Sequence, residues 1–208
     1  MNQDQRRASG DSEARTRGQL IDATQRLLAS GSAESLTSRA IAARAGANLA
    51  AITYYFGSKE QLVTESMIAG AREMLAPVVA TLRSDVDPIV KMLNAVALLN
   101  QMLSERRSDA TIYLQTLAAA ATNPAIAASV QGLLDETAHL LAEQIESQRD
   151  SGQLAPWVAP EPMARLIIAV VHGTFLGAMV APERTDEAAI AGQFTRLLLA
   201  TRTTPPSR

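Results

Sequence analysis

The side chains of this chain that could carry catalytic chemistry are few. Its two histidines, His139 and His172, could act as general bases near neutral pH, and Ser129 or Ser147 would then be the candidate nucleophile. The chain has no cysteine, which excludes disulfides, zinc ribbons and cysteine nucleophiles. It also has no Gly-x-Ser-x-Gly or His-Glu-x-x-His motif and no glycine-rich phosphate loop. We therefore expect a protein that is not an enzyme and that has no metal site and no cofactor.

Groups that bind phosphate are, by contrast, concentrated in one basic stretch. Residues 35–59 contain Arg39, Arg44 and Lys59 but no acid, although the whole chain has a net charge of −2. Arg39 carries the planar guanidinium that can bind guanine O6 and N7. The hydroxyl and ammonium donors suited to phosphate oxygens are Thr37, Ser38, Thr53, Tyr54 and Lys59. Such a stretch is typical of a nucleic-acid contact surface, although chance spacing in an alanine-rich sequence could also produce it.

The elements that must position these groups are predicted to be α-helices. The chain has 208 residues, of which 47% are hydrophobic and only 3% aromatic. Alanine and leucine favour helices, whereas strands favour β-branched and aromatic residues. Apolar residues recur every three or four positions along most of the chain, so we predict an all-α fold of about nine helices. The predicted helices span residues 12–30, 38–45, 48–55, 58–84, 88–105, 108–121, 124–150, 161–180 and 186–201.

The first three predicted helices form a recognisable unit. Ser12 is expected to cap the first helix, and Gly31, Gly46 and Gly57 are expected to end the first, second and third. The second and third are short and need packing against the first, because isolated short helices are marginal in water. Two short helices joined by a tight glycine turn and braced by a longer one indicate a helix-turn-helix. In the fourth helix, Pro77 is expected to cause a kink or a split.

A series of short motifs runs from Leu36 to Leu62. It comprises a Thr-Ser start, an Ile-Ala pair, an Ala-Gly turn, and a Tyr-x-Phe-x-x-Lys-x-x-Leu ending made by Tyr54, Phe56, Lys59 and Leu62. This series resembles the DNA-binding segment of the TetR family of bacterial transcriptional regulators, and the likeness extends back to Arg17. At two positions the chain departs from many relatives, which have lysine in place of Leu49 and tyrosine in place of Thr53.

The resemblance implies a domain organisation and a function. It implies a DNA-binding domain at 12–60 and a helical effector-binding and dimerisation domain at 61–203, with flexible tails at 1–11 and 204–208. The chain would be a transcriptional regulator, most simply a repressor that leaves a palindromic operator on double-stranded DNA when an effector binds. Charged residues make up only 19% of the chain, which favours a small, largely apolar effector.

The cellular setting follows from the sequence ends and the apolar runs. The first ten residues are polar, and no apolar signal-peptide region follows them. The run from Leu166 to Ala181 is shorter than the roughly 20 residues of a spanning helix. We therefore expect a cytoplasmic bacterial protein without a membrane partner.

The resemblance and the donor chemistry together give a set of predicted DNA contacts. The third predicted helix, at 48–55, would read the DNA bases and is here called the reading helix. Apolar side chains at its start favour contact with thymine methyl groups. Asn48 is also a helix cap, Arg44 suits a solvated helix face, and Tyr54 and Tyr55 could both be core aromatics. The predicted contacts are Thr37, Ser38, Arg39, Asn48, Leu49, Ala50, Thr53, Tyr54 and Lys59.

A further alternative is a helical module whose helix-turn-helix binds protein instead of DNA. The exclusion of every acid from residues 35–59 argues against it, because a protein interface has no such requirement. Salt dependence separates the two readings, since binding to DNA weakens steeply as salt rises.

Effector and dimer contacts are predicted from the remaining helices. Polar or aromatic residues of these mostly apolar segments are the effector candidates, although a histidine there is also compatible with a satisfied core residue. These candidates are Asn100, Tyr113, His139, Trp157, His172 and Met179. The helix at 161–180 is apolar nearly all round, which favours a four-helix interface with a second copy, unless its glycines pack within their own subunit. The predicted interface residues are Gly173, Gly177, Ile190, Phe194 and Leu197.

Overall fold

The computed structural model of the chain describes residues 3–30, 36–86, 91, 94, 98, 101, 107–181 and 183–202, with side chains from residue 12 onward except at 107 and 187. In these ranges the regular structure is helical, apart from one isolated antiparallel bridge between Leu154 and Arg202. Their eight helices are α1 (Gln3–Ala29), α2 (Ser38–Ala45), α3 (Ala50–Phe56), α4 (Lys59–Arg83), α5 (Arg107–Ala120), α6 (Pro124–Asp150), α7 (Pro160–Val180) and α8 (Glu187–Ala200). The all-α prediction is confirmed. The predicted helix at 88–105 lies largely outside the described residues, as does Gly31.

Helix α1 starts earlier than the sequence pattern indicates. It begins at Gln3, so the prediction that Ser12 caps its start is wrong, and the segment predicted as an N-terminal tail is helical from residue 3. The residues before Ser12 include glutamine, arginine and alanine, all good helix formers, and a polar composition does not by itself stop a helix. The carbonyl of Ser12 accepts a hydrogen bond from the Thr16 hydroxyl at 3.0 Å, as it can within a continuous helix.

The ends of the two short helices follow the sequence signals. Thr37 caps α2, because its Oγ1 accepts the backbone N–H of Ala40 at 3.1 Å. Gly46 ends α2 with φ at 63°, and Gly57 ends α3 with φ at 77°. A left-handed backbone conformation is less stable by about 1–2 kcal/mol for residues other than glycine. Glycine avoids this cost at both turns.

The chain divides into two units. The first unit contains Met1–Ala71 and Thr111–Ala128, and the second contains Arg72–Ala110 and Ser129–Arg208. The core of the first unit draws side chains from four helices and so holds α2 and α3 in place. Its buried members are Leu20, Ala23, Ile41, Ala42, Ala45, Ile52, Phe56 and Leu62.

Residues of α5 complete the first unit by a close helix contact. A Cβ added at Gly70 of α4 would lie 2.8 Å from Cγ2 of Ile112, so the two helices approach where glycine has no side chain. The buried hydroxyl of Thr116 donates to the Met67 carbonyl at 3.2 Å, which fixes the register of the same contact. Leu62, Gly70 and Ile112 thus belong to one packed body.

Helix α4 passes through Pro77 without a break. It is continuous over Lys59–Arg83, so the expectation of a split at Pro77 is wrong. One proline removes a single backbone donor, which a helix of 25 residues can lose without ending. The carbonyl of Pro77 also accepts the Thr81 hydroxyl at 2.9 Å.

In the second unit, the loop between α6 and α7 is tied to the end of α8. Leu154 and Val158 of this loop are buried, with Ala164 of α7, against Ala142 and Ile145 of α6. The backbone N–H of Ala155 donates to the Thr201 carbonyl at 2.8 Å, beside the bridge between Leu154 and Arg202. These bonds anchor the C-terminal end of α8.

Candidate nucleic-acid interface

Helix α3 has one buried face and one solvent face. Ile52 is 3% exposed and Phe56 is 6% exposed, and both lie in the core of the first unit. On the other face Tyr54 is 72% exposed, and Leu49, directly before α3, is 46% exposed. Leaving large apolar and aromatic groups in water is unfavourable, so this solvent face is a candidate contact surface.

The nine predicted DNA contacts all belong to the first unit and reach its surface. Seven of them are exposed, and Ser38 and Lys59 are half-buried. Asn48 also has the capping role that the sequence suggested, since its Oδ1 accepts the backbone N–H of Ala50 at 3.0 Å. Its amide nitrogen keeps both hydrogens for other acceptors.

Ser58 is a further donor beside the nine predicted contacts. Its Oγ accepts the backbone N–H of Gln61 at 3.0 Å and so caps α4. A hydroxyl that accepts a capping bond still has its own hydrogen to donate, and this one lies at the positive end of a helix dipole. The sequence signal that could have shown it is the Ser-x-x-Gln capping pattern from Ser58 to Gln61.

The two adjacent tyrosines have different environments. Tyr55 packs against the core of the first unit, whereas the ring of Tyr54 is exposed. The ring centroids lie 4.8 Å apart at an interplanar angle of 87°, an edge-to-face arrangement that orients the exposed ring. Of the two tyrosines, Tyr54 is the one with a phenol free to reach a partner on the solvent side.

An acid adjoins the basic group at the start of α4. The Nζ atom of Lys59 lies 3.6 Å from Oε1 of Glu60. A hydrogen bond from the backbone N–H of Glu60 lowers the pKa of its carboxyl, and the Lys59 ammonium lowers it further. Glu60 is therefore ionised throughout the neutral pH range and competes with any phosphate for Lys59.

We expect Glu60→Gln to tighten binding to duplex DNA by about threefold, because it removes a negative charge beside Lys59. Fluorescence anisotropy with one labelled duplex at constant salt measures the change. Glu73→Gln is the matched control, since it removes an equal charge from α4 more than three turns away. Equal effects of the two variants would mean that only net charge matters.

The effector candidates that the structure describes occupy different environments. Tyr113 is 1% exposed in the first unit, and burial raises the pKa of its phenol. His172 is half-buried on α7, and burial lowers the pKa of its imidazole. Asn100 lies outside the described residues.

Three further candidates face solvent in the single chain. His139 is exposed, with Nε2 lying 3.4 Å from Oε1 of Glu143, so the alternative that it is a buried core histidine is wrong. The neighbouring positions Ala138 and Ala142 turn inward instead. Trp157 is 69% exposed and Met179 is 42% exposed.

Helix α7 presents a continuous exposed apolar strip, here called the α7 seam. Its members follow one another at alternating spacings of four and three residues, which places them on one face of a helix. The seam consists of Pro162, Leu166, Ala169, Gly173, Leu176 and Val180. Leu176 is 55% exposed and Val180 is 76% exposed.

The predicted interface glycines differ in what surrounds them. A Cβ at Gly173 would meet nothing within 4 Å, whereas one at Gly177 would lie 3.2 Å from Oγ1 of Thr185 in the same chain. The close contact at Gly177 is therefore with its own subunit, which is the alternative that the sequence left open for these glycines. On α8, Ile190 is 38% exposed, Leu197 is 57% exposed and Phe194 is half-buried.

No group of three or more His, Asp or Glu residues in the described ranges is placed to hold a metal ion. By length and composition α7 could cross a bilayer, with 22% of its apolar window buried. The α5–α6 pair would count as a second such element only if the two helices, bent by 119°, formed one span.

Comparisons with known proteins agree with this architecture. Residues 20–65 match the model of the tetR family of bacterial regulatory proteins, and residues 91–202 match the C-terminal domain model of BetI-type transcriptional repressors. The comparison with curated proteins gave no match.

Solved structures share the fold at low sequence identity. A transcriptional regulator from Saccharomonospora viridis in complex with choline is 19% identical, with a TM-score of 0.78, and the match covers 93% of this chain and 99% of that one. SmeT, the repressor of the Stenotrophomonas maltophilia multidrug efflux pump SmeDEF, is 20% identical, with a TM-score of 0.69 and 91% of each chain covered. The SmeT–triclosan complex gives 22% identity and a TM-score of 0.71, with 92% of this chain and 93% of that one covered.

The C-terminal match alone spans more than half of the chain, and the N-terminal match covers the helix-turn-helix. The non-enzymatic reading of the sequence agrees with both, since this family consists of DNA-binding regulators with a helical ligand-binding domain. The chain belongs to the TetR family of bacterial transcriptional regulators.

Proposed function

We propose that this regulator is a cytoplasmic, homodimeric repressor that leaves a near-palindromic operator when a small, largely apolar effector binds. In this proposal residues 12–60 bind DNA, and residues 61–203 bind the effector and form the dimer. The observation that carries it is the orientation of α3, which buries Ile52 and Phe56 and presents Leu49 and Tyr54 from an acid-free stretch. The match to a repressor-type C-terminal domain supports the direction of regulation.

The DNA contacts divide into positioning and reading groups. Thr37 and Ser38 at the start of α2, and Tyr54 and Lys59 near the start of α4, bind phosphate oxygens and so set the register. Arg39 supplies a guanine contact from the exposed side of α2. The remaining groups lie on or just before α3 and face the base edges, and they are Asn48, Leu49, Ala50 and Thr53.

The α7 seam supports the proposed dimer. An exposed strip of six apolar or small residues along five turns is unfavourable in water, and a second copy of the same strip covers it symmetrically. Gly173, with open space at its Cβ position, allows close approach of the two helices, and Ile190 and Leu197 of α8 flank the contact. Two reading helices would then enter successive major grooves about 34–36 Å apart.

The effector acts by its preference between two states. A ligand that binds more tightly to the form unable to span both half-sites shifts the population away from DNA. The low charge content and the desolvated His172 favour an uncharged, apolar ligand, as does the triclosan complex of SmeT. The choline complex of the S. viridis regulator makes a cationic ligand the first alternative to screen.

The test of this function is selection of random duplex DNA by the purified protein, followed by anisotropy titration of the enriched duplex at two salt concentrations. We expect a palindromic sequence, two protomers bound to each duplex, and affinity that falls steeply with salt. Weak binding without sequence enrichment would contradict the operator proposal.

We expect Tyr54→Phe and Lys59→Ala each to weaken binding to the enriched duplex by about fivefold to tenfold, because each removes a phosphate donor. Lys59→Ala should also reduce the slope of log affinity against log salt by about 0.9 per protomer, whereas Tyr54→Phe should not change it. Titrations at four salt concentrations measure both quantities. An unchanged affinity and slope in both variants would show that the phosphate contacts are misassigned.

A further inference from the structure

Arg17 of α1 contacts residues on both sides of the turn that joins α3, the proposed reading helix, to α4. Its guanidinium carbon lies 4.9 Å from the ring centroid of Phe56, the last residue of α3. The same guanidinium forms an ion pair and hydrogen bond with Glu65 of α4. All three residues belong to the first unit.

The partner carboxylate is itself held by its own helix. Oε1 of Glu65 accepts a hydrogen bond from Nε2 of Gln61 at 3.3 Å, while Oε2 binds Arg17. The side chains of Arg17 and Glu65 are 45% and 31% exposed. Both side chains are therefore partly exposed, and the Glu65 carboxylate is oriented by Gln61 as well as by Arg17.

The turn between α3 and α4 is short, since only Gly57 and Ser58 separate the two helices. Gly57 has φ at 77°, so the turn depends on a residue with little conformational restraint of its own. Because the Arg17 side chain contacts Phe56 before the turn and Glu65 after it, it restricts movement of the end of α3 relative to the start of α4.

We propose that Arg17 is a positioning residue, which fixes the reading helix relative to the phosphate-binding start of α4 by bridging Phe56 and Glu65. This inference rests on the proposed DNA-binding role of α3. The competing role for Arg17 is direct contact with a DNA phosphate. If Arg17 bound a phosphate, Glu65 would compete with that phosphate for the guanidinium. If Arg17 positions α3, Glu65 is the partner that it needs.

The test compares Arg17→Gln, Glu65→Gln and the double variant on the duplex that the wild-type protein enriches. We expect each single variant to weaken binding by about tenfold with an unchanged salt slope, and the double variant to be no weaker than either single one. Arg17→Lys should recover part of the loss, since it keeps the charge without the planar fork. Arg15→Gln is the matched control, an equal charge change at an exposed position two residues earlier on α1.

Tighter binding by Glu65→Gln, together with a salt slope reduced by about 0.9 in Arg17→Gln, would overturn the proposal in favour of direct phosphate contact. Additive losses in the double variant would also overturn it.

A second measurement uses the free protein. Hydrogen exchange of amides 50–62 should accelerate about tenfold in Arg17→Gln and Glu65→Gln but not in Arg15→Gln, at an unchanged melting temperature. Unchanged exchange would overturn the inference. If the wild-type protein bound no duplex in a salt-sensitive way, the proposed function would fail, and the exchange comparison would still decide whether Arg17 positions α3.

Discussion

Leu62→Ala is expected to lower the free energy of unfolding by about 3 kcal/mol, whereas Leu49→Ala is expected to leave it within about 0.5 kcal/mol. Both changes remove the same atoms. Leu62 is 0% exposed in the core that holds α2 and α3, so its truncation loses burial and leaves a cavity. Leu49 is 46% exposed, so its truncation disturbs little packing. Chemical denaturation followed by circular dichroism measures the two values.

For binding to DNA we expect the opposite order, with the larger effect in Leu49→Ala and the smaller one in Leu62→Ala. Under conditions where both variants are folded, Leu49→Ala should weaken binding to the enriched duplex by about fivefold because an apolar base contact is lost. Leu62→Ala should bind nearly as the wild-type protein does. Loss of stability in Leu49→Ala, with no change in its affinity, would mean that Leu49 is a packing residue.

Leu176→Asp is expected to convert the protein to monomers at micromolar concentration and to abolish tight operator binding. The substitution places a carboxylate at the fifth of the six α7 seam positions, where a second copy would bury it without a partner. We expect the dimer dissociation constant to rise by at least about a hundredfold. Analytical ultracentrifugation measures the association state, and anisotropy measures the DNA binding.

The control for this experiment is Leu199→Asp, the same change at a leucine that is 42% exposed. Leu199 lies on the opposite side of α8 from Ile190 and Leu197, so we expect its dimer to persist. Dissociation of both variants to the same extent would place the interface on a different or wider face. A stable dimer in Leu176→Asp would refute the seam as the contact.

The sequence predicted features whose causes are local. Gly46 and Gly57 end the two short helices through left-handed turns, and each of these turns involves only a few residues. The different fates of Tyr54 and Tyr55 also follow from helical periodicity, because adjacent positions on α3 point about 100° apart. The helix-turn-helix could therefore be predicted in detail.

Features that depend on distant residues could not be predicted. The contact of Gly70 with Ile112 joins positions far apart in the chain, and no pattern around Gly70 indicates it. Gly177 meets Thr185 only because the chain turns back after α7. His139 is exposed although its segment is mostly apolar, because Ala138 and Ala142 lie on the inward face of α6 instead.

In the proposed dimer, the α7 seam would make protein concentration a regulatory variable. A monomer exposes this strip to water, so the folded state gains stability by mass action as protomers pair. At concentrations below the dimer dissociation constant, the amount of this dimer, and with it the occupancy of a sparsely occupied operator, would rise with the square of the protomer concentration. A threefold change in synthesis would then change occupancy about ninefold, without any change in effector. Through its seam, the chain would respond to its own abundance as well as to its ligand.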